Sequence, residues 1–347
     1  MPSKSLPHEM HVTPDNTGLW HIKQTDEAAK TTSELLQKDI EVSPPFLIPT
    51  PHIPITLLLT PSIEPSRLLQ LRRLPQPRTL PPFPYSPPPP NHPQIPHHLL
   101  ALYGTGASPS NLKSAYATNG PYQRAVLPPH TTADPIPTTP TTTPLSFHPW
   151  PEAAKPYLGN ETYYPDFLRF FQSEIKDLGS WQAVVTKYLF TPDKTGDELL
   201  VRLYAGFLHP LIQLMYGVEF GLEGVVAEGL AQAAVHSGDI GGFLLDAERA
   251  AKGAEGKGEG VMELIEAVRR DGKVSGAARN GDANKVRDGV LVRARGEMVA
   301  LAARVRVRPE EVEEKTAEMF DAAVFVAAAA ALVKEGVKEP KFDFFLM

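Results

Sequence analysis

From position 160 onward, apolar side chains recur at the three- and four-residue spacing of an α-helix. In ETYYPDFLRFFQSEIKDLG, Phe167, Leu168, Phe171, Ile175 and Leu178 keep that period, with Pro165 suited to a first turn and Gly179 to a stop. SWQAVVTKYLF starts again with Ser180 as its cap. Asp197 can cap a third helix, which the spacing predicts to run unbroken through ELLVRLYAGFLHPLIQLMYGVEF. EGVVAEGLAQAAVHSG, GVMELIEAVRRDG, KVRDGVLVRARGEMVALAARV and PEEVEEKTAEMFDAAVFVAAAAALVKEG continue the series, each bounded by glycine or a charged turn. Sustained two-residue alternation is scarce, and the Asn-Gly pairs at 119 and 280 separate helical runs rather than strands. The predicted fold class is therefore all-α, a multi-helix bundle-like domain. AERAAKGAEGKGEG, at 247 to 260, reads as a helix end fraying into a loop.

Proline sets the organisation upstream. Of 37 prolines, most crowd into Pro44 to Pro96 and into LPPHTTADPIPTTPTTTPLSFHPWP at 127 to 151. Proline fixes φ and lacks an N–H donor, so neither block suits helix or central strand. The expected layout is a proline-rich, poorly structured region over 1–90, then a helical domain over 91–347 with the proline/threonine-rich extended connection at 127–151. PPFPYSPPPP also has the look of a ligand for an SH3-type module, although such tracts mostly serve as connectors.

Polar positions inside the helical pattern are the candidate chemistry. At about 100° per residue, Arg202, Gly206, His209, Gln213, Tyr216 and Phe220 share one stripe of an otherwise apolar helix. An apolar cylinder is buried, so its polar stripe is expected to face an internal site. Pro210 cannot donate to the carbonyl of Gly206, which predicts a released acceptor and a kink beside His209. Glu228, Gln232 and His236 follow at i, i+4 and i+8, either as a solvent-facing stripe or as a second wall of the same cavity. Pro96 opens a helix carrying His97 and His98, whose side chains diverge by about 100°, so one of them can share a site with a given partner. Neutral imidazoles converging from three helices would suit zinc or iron, with Glu228 and Gln232 holding their second ring nitrogens. The alternative is that they are packed polar groups. GTGASP, at 104 to 109, lacks the last glycine of a dinucleotide fingerprint and follows a helical run. No H-E-x-x-H, G-x-S-x-G or P-loop is present.

Composition narrows the function classes. The 347-residue chain is 42% hydrophobic and can bury a sizeable core. Its formal net charge of −6 lacks the basic excess of a nucleic-acid binder, so no nucleic-acid partner is expected. The absence of cysteine excludes disulfides, thiolate ligands and a cysteine nucleophile, and makes a cytoplasmic location the default expectation. AAVFVAAAAALV, at 322 to 333, is shorter than a membrane span, and MPSKSLPHEM has no apolar signal core, so no membrane partner is expected.

Several blocks together carry a resemblance. PHHLLALYGTGASPSNLKSAYA, YLGNETYYPDFLRFFQSEI, ELLVRLYAGFLHPLIQLMYGVEF, AEGLAQAAVHS, NKVRDGVLVRA and EEKTAEMFDAAVFVAAAAAL through KFDFFLM resemble, in order from about His97 to Met347, the questin oxidase-like family of fungal oxidoreductases. The resemblance implies oxidation of an aromatic polyketide of anthraquinone-like type with dioxygen, by Baeyer–Villiger-type insertion or ring cleavage. It also implies NADPH, a non-haem iron held by histidines, and a small-molecule aromatic substrate. On it, His97 or His98 matches the family's paired histidines, His209 its HPxI block and His236 the end of AQAAVH; these are the expected metal ligands. Tyr216, Gln213 and Arg202 are the residues expected to orient substrate oxygens. The chain departs from the pattern in three places. Gln213 stands where many members have a second histidine, NHPQIPHH inserts residues between His92 and the pair, and members continue beyond DFFLM, so a C-terminally truncated chain is expected. A non-catalytic helical relative that binds or scaffolds is the competing expectation.

Overall fold

The computed structural model of the chain describes residues 10–42, 95–120, 129–133, 142–252, 258–279 and 281–331. The proline tract from 43 to 94, with His92 and PPFPYSPPPP, lies outside the described residues, as do DFFLM and much of the 127–151 connection. The chain divides into two units, Met1–Ser237 and Gly238–Met347.

The first unit has two apolar interiors. One gathers helix α1 (Asp26–Val42), α2 (Ile95–Gly104) and α3 (Pro109–Asn119) around Leu36, Leu99, Leu100, Tyr103 and Leu112. Ser108, within the GTGASP segment, caps α3. Residues 10–42 thus differ from the expectation that the region up to 90 is poorly structured. They carry one face of Ala28, Thr32, Leu36 and Asp39, all buried, at helical spacing. The segment before α1 is also fastened: Gln24 donates to the carbonyls of Tyr103 and Ala107, and the Tyr103 hydroxyl donates to that of Thr13.

The second interior is aromatic. Helix α4 (Tyr164–Leu178) and α5 (Trp181–Leu189) enclose Phe147, Trp150, Phe167, Phe170, Phe171 and Tyr188, with the Phe147 and Phe167 rings stacked 4.1 Å apart. Gly179, at φ 76, ends α4, and the Ser180 side chain caps α5, as the spacing predicted. Buried Glu174 ties the two helices, accepting from Lys187 at 2.8 Å and Tyr188 at 2.6 Å as well as from His148 at 2.8 Å. Burial alone would raise its carboxyl, but these donors together hold it below the usual range.

The long helix predicted from Asp197 to Phe220 is broken. Helix α6 (Lys194–Leu200) is capped by Asp193, not Asp197, and two 3-10 turns, Val201–Tyr204 and Gly206–Leu208, precede α7 (His209–Phe220). Gly206 and Leu208 both take left-handed backbone, at φ 56 and φ 66, which no continuous helix tolerates. Pro210 therefore opens α7 in its first turn instead of kinking it, a place where its missing N–H costs nothing. The cylinder is also not apolar all round in the expected sense: Gln213 is fully buried while Met215 and Val218 face outward.

Helix α8 (Glu223–Val235) is buried along its whole length after Glu223. It crosses α7 with backbones in contact, and two glycines permit this. A Cβ on Gly217 would lie 2.6 Å from the Val226 nitrogen, and one on Gly229 would lie 2.6 Å from the Leu214 nitrogen.

The second unit contains α9 (Gly241–Lys252), α10 (Val261–Arg270), α11 (Arg295–Ala302) and α12 (Val312–Ala331), and α10 and α11 contribute to a small core of Val274, Ala277, Ala294 and Leu301. KVRDGVLVRARGEMVALAARV is not one helix: a π-helical stretch, Lys285–Val290, and a short turn precede α11. Arg293 grips Asp282 through two bonds of 2.7 and 2.8 Å. Among the described residues the only strands are the paired segments Thr131–Ala133 and Thr142–Pro144, so the fold class is all-α.

Candidate active site

Three helices of the first unit bring the polar stripe together. Gln213 on α7 bridges α2 and α8: its Oε1 lies 3.1 Å from His97 Nδ1, and its Nε2 donates to Glu228 Oε2 at 2.7 Å. An amide oxygen only accepts, so His97 holds its proton on Nδ1 and presents Nε2 as an acceptor. The same logic fixes two further rings. His209 Nδ1 donates to the Gly206 carbonyl at 2.6 Å, and His236 Nδ1 donates to the Gln232 carbonyl at 2.6 Å. The carbonyl predicted to be released by Pro210 is thus the one that orients His209. His97 lies with its ring centroid 6.3 Å from that of His209 and stacks at 6.2 Å on Tyr216.

Electrostatics keep His97 and His236 neutral. Burial pushes His97 down to about 3, with His209 and His98 adding to the effect against the Gln213 hydrogen bond. Burial likewise pushes His236 down to about 4, with His209 and Arg202 adding to it. The opposite holds for the acid behind them. Burial, followed by the charge of Asp39 on α1, raises Glu228 to about 8, so it is largely protonated at neutral pH. Tyr164 is pushed far up by burial and by the same two acids. Glu228 Oε1 and both polar atoms of the Gln232 amide are buried and have no direct hydrogen-bond partner among the described residues. Glu228, Gln232 and His236 are therefore buried in the interior and are not a solvent-facing stripe.

The remaining expected residues separate. His98 turns to α3, where Asn119 Nδ2 donates to its Nδ1 at 2.8 Å; of the adjacent pair, His97 is the one that joins the site. Arg202, in the 3-10 turn before α7, donates to the carbonyl of His236 and twice to Glu198 Oε1, which commits its guanidinium to the end of α8. Tyr216 stays beside His97, its hydroxyl raised by burial and by Glu219. Asp39 was not anticipated. Its place on the face of Ala28, Thr32 and Leu36 was a signal, hidden because the region was read as unstructured.

Among the described residues, no group of three or more His, Cys, Asp or Glu side chains is arranged to hold a metal ion. His97, His209 and His236 do not form such a group. GTGASP joins two helices, so it offers no strand-to-helix cradle for the NADPH pyrophosphate. No single helix among the described residues is long and apolar enough to cross a membrane.

The chain is similar to known proteins. The chain is 39% identical over 192 residues to the Baeyer-Villiger oxidase ptaJ of Pestalotiopsis fici, covering 55% of this chain and 42% of that protein. It is 36% identical over 254 residues to the Baeyer-Villiger oxidase mdpL of Emericella nidulans, covering 72% and 54%. It is 37% identical over 198 residues to the questin oxidase of Aspergillus terreus, covering 56% and 44%. The chain spans about half the length of the curated relatives it matches. The model of the questin oxidase-like family matches residues 91–347, which include every helix of the site except α1, and the chain belongs to that family.

Proposed function

We propose that this chain forms part of an oxidoreductase that oxidises an aromatic polyketide of hydroxylated anthraquinone type with dioxygen, by Baeyer–Villiger-type insertion or ring cleavage, in fungal secondary metabolism. The observation that carries the reading is the neutral imidazole of His97, whose Nδ1–H is held by the Gln213 oxygen and whose Nε2 is an acceptor, with the His209 ring 6.3 Å away. Such a nitrogen suits a ligand whose ring carries phenolic O–H donors, and the face of Tyr216 beside His97 suits an aromatic plane. The names of the relatives, Baeyer-Villiger oxidase and questin oxidase, support the same reading.

Within it, His97 accepts a phenolic hydrogen bond, Gln213 keeps His97 in register, and Arg202 positions His236 by holding its carbonyl. The two reaction types differ in balance. Insertion places one oxygen atom between a ketone carbon and its neighbour, while NADPH supplies the two electrons that reduce the other atom to water. Ring cleavage places both atoms of dioxygen in the product and needs no reductant. Purified protein supplied with a hydroxyanthraquinone and ¹⁸O₂, with and without NADPH and iron(II), separates them by mass spectrometry. One labelled atom and NADPH dependence mean insertion; two labelled atoms without NADPH mean cleavage. Binding of the anthraquinone with no oxygen uptake under any of these conditions overturns the catalytic reading in favour of a binding protein.

A further inference from the structure

We infer that Glu228 is a positioning residue for His97: through the side-chain amide of Gln213 it dictates which ring nitrogen of His97 carries the proton, and so which one is offered to a ligand. The inference rests on the reading that His97 belongs to the substrate site, but its test does not.

The Gln213 amide sits between two partners and has one face that donates and one that accepts. Turned as it is, Nε2 donates to Glu228 Oε2 and Oε1 accepts from His97 Nδ1. Turned over, Oε1 would meet Glu228 and Nε2 would donate to His97 Nδ1, which would force the ring proton onto Nε2 and leave no acceptor for a ligand. The neighbour at 228 decides between these. An ionised carboxylate can only accept, which selects the first arrangement. A neutral carboxyl can carry its proton on Oε1, the oxygen not engaged by Gln213, and still accept at Oε2 through its C=O. The ionised state therefore selects this amide orientation and His97 tautomer, and the neutral state is compatible with that orientation and that tautomer, in which Gln213 Nε2 donates to Glu228 Oε2.

The surroundings remove the alternatives. Gln213 and Glu228 are both fully buried, so water does not replace either partner. The side chains in the field or on the face of Glu228 are Asp39 from α1, Tyr164 from α4, Gln213 from α7 and, one turn along its own helix, Gln232. None of these is a cation that could compete for its oxygens. The backbone contacts at Gly217 and Gly229 fix the register of α7 on α8, so the Gln213–Glu228 pair cannot slide apart. Sequence spacing placed Glu228 near the histidines; only the crossing of α7 and α8 puts it one amide away from His97.

The test is ¹⁵N NMR of ring-labelled histidine in the whole chain, with the His97 signals assigned by a His97→Gln variant. In the unaltered protein, His97 is expected to be neutral with a protonated Nδ1; a protonated Nε2 overturns the inference without any further variant. Glu228→Gln should preserve the Nδ1–H form, since its amide N–H₂ can take the place of Oε1 while its carbonyl still accepts from Gln213. Glu228→Met removes the acceptor, and the His97 signal should move to the Nε2–H form or to a mixture of both. An unmoved Nδ1–H signal in a folded Glu228→Met protein also overturns it. No ligand is needed for these readings. Loss of anthraquinone turnover with the tautomer as stated thus counts against the proposed function alone.

Discussion

Glu228→Gln should change the pH dependence of stability in a direction opposite to that of most acid substitutions. The buried carboxyl titrates at about 8 in the folded protein against a reference of 4.5, so between those values the folded chain holds a proton that the unfolded chain has released. Stability from this group is complete below pH 4.5 and is lost as pH rises through about 8. At 1.36 kcal/mol per pKa unit, the whole window is worth roughly 5 kcal/mol, and the part between pH 6.5 and 8 about 2 kcal/mol. His97 and His236 act in the other sense. Their depressed values mean that their contribution is complete above pH 6.5 and is lost as pH falls through about 4 and about 3. Above pH 6.5 they are constant, so the alkaline window reads Glu228 without their contribution. Urea unfolding followed by tryptophan fluorescence is the assay, because Trp20, Trp150 and Trp181 all lie in the first unit and report on it alone. The unaltered protein should lose about 2 kcal/mol between pH 6.5 and 8.5, whereas the glutamine variant should lose little and become the more stable of the two at pH 8.5. Parallel curves for the two proteins across that range would refute the assignment of a protonated, buried Glu228.

Other consequences follow from the same packing. Gly229→Ala would press a methyl group against the Leu214 backbone at 2.6 Å; a loss of about 1–3 kcal/mol in urea unfolding is expected, as for other overpacked cores. Glu174→Gln removes the charged acceptor shared by His148, Lys187 and Tyr188 and should cost about 2 kcal/mol at pH 7, measured by thermal melting; an unchanged melting temperature would mean that the α4–α5 tie contributes nothing. His97→Ala should weaken binding of a hydroxyanthraquinone by about tenfold or more in a fluorescence titration, the equivalent of one lost hydrogen bond to a buried group, while His98→Ala, whose ring is hydrogen-bonded to Asn119 on α3, should bind normally.

Local rules carried the sequence reading as far as local interactions decide structure. Pro165, Gly179 and Ser180 bound α4 and α5 because first-turn proline, left-handed glycine and a capping hydroxyl act within a few residues of themselves. The helical class and the presence of histidines on three separate helices were legible for the same reason, and the family blocks followed the same order along the chain. What failed was whatever depended on partners far away in sequence. Period alone could not tell that residues 201–208 leave the helix, since the left-handed backbone at Leu208 is imposed by its surroundings and has no glycine to announce it. Nor could it choose between solvent and interior for Glu228, Gln232 and His236, because a polar stripe looks the same from either side until a neighbour covers it. His97 and His98 are chemically identical, and only the places of α3 and α7 assign one to Asn119 and the other to Gln213. The sequence by itself thus determined the helices and the stock of imidazoles. The tertiary structure decided their tautomers and charges, because burial and the approach of Asp39 to Glu228 are properties of packed helices and of no single segment.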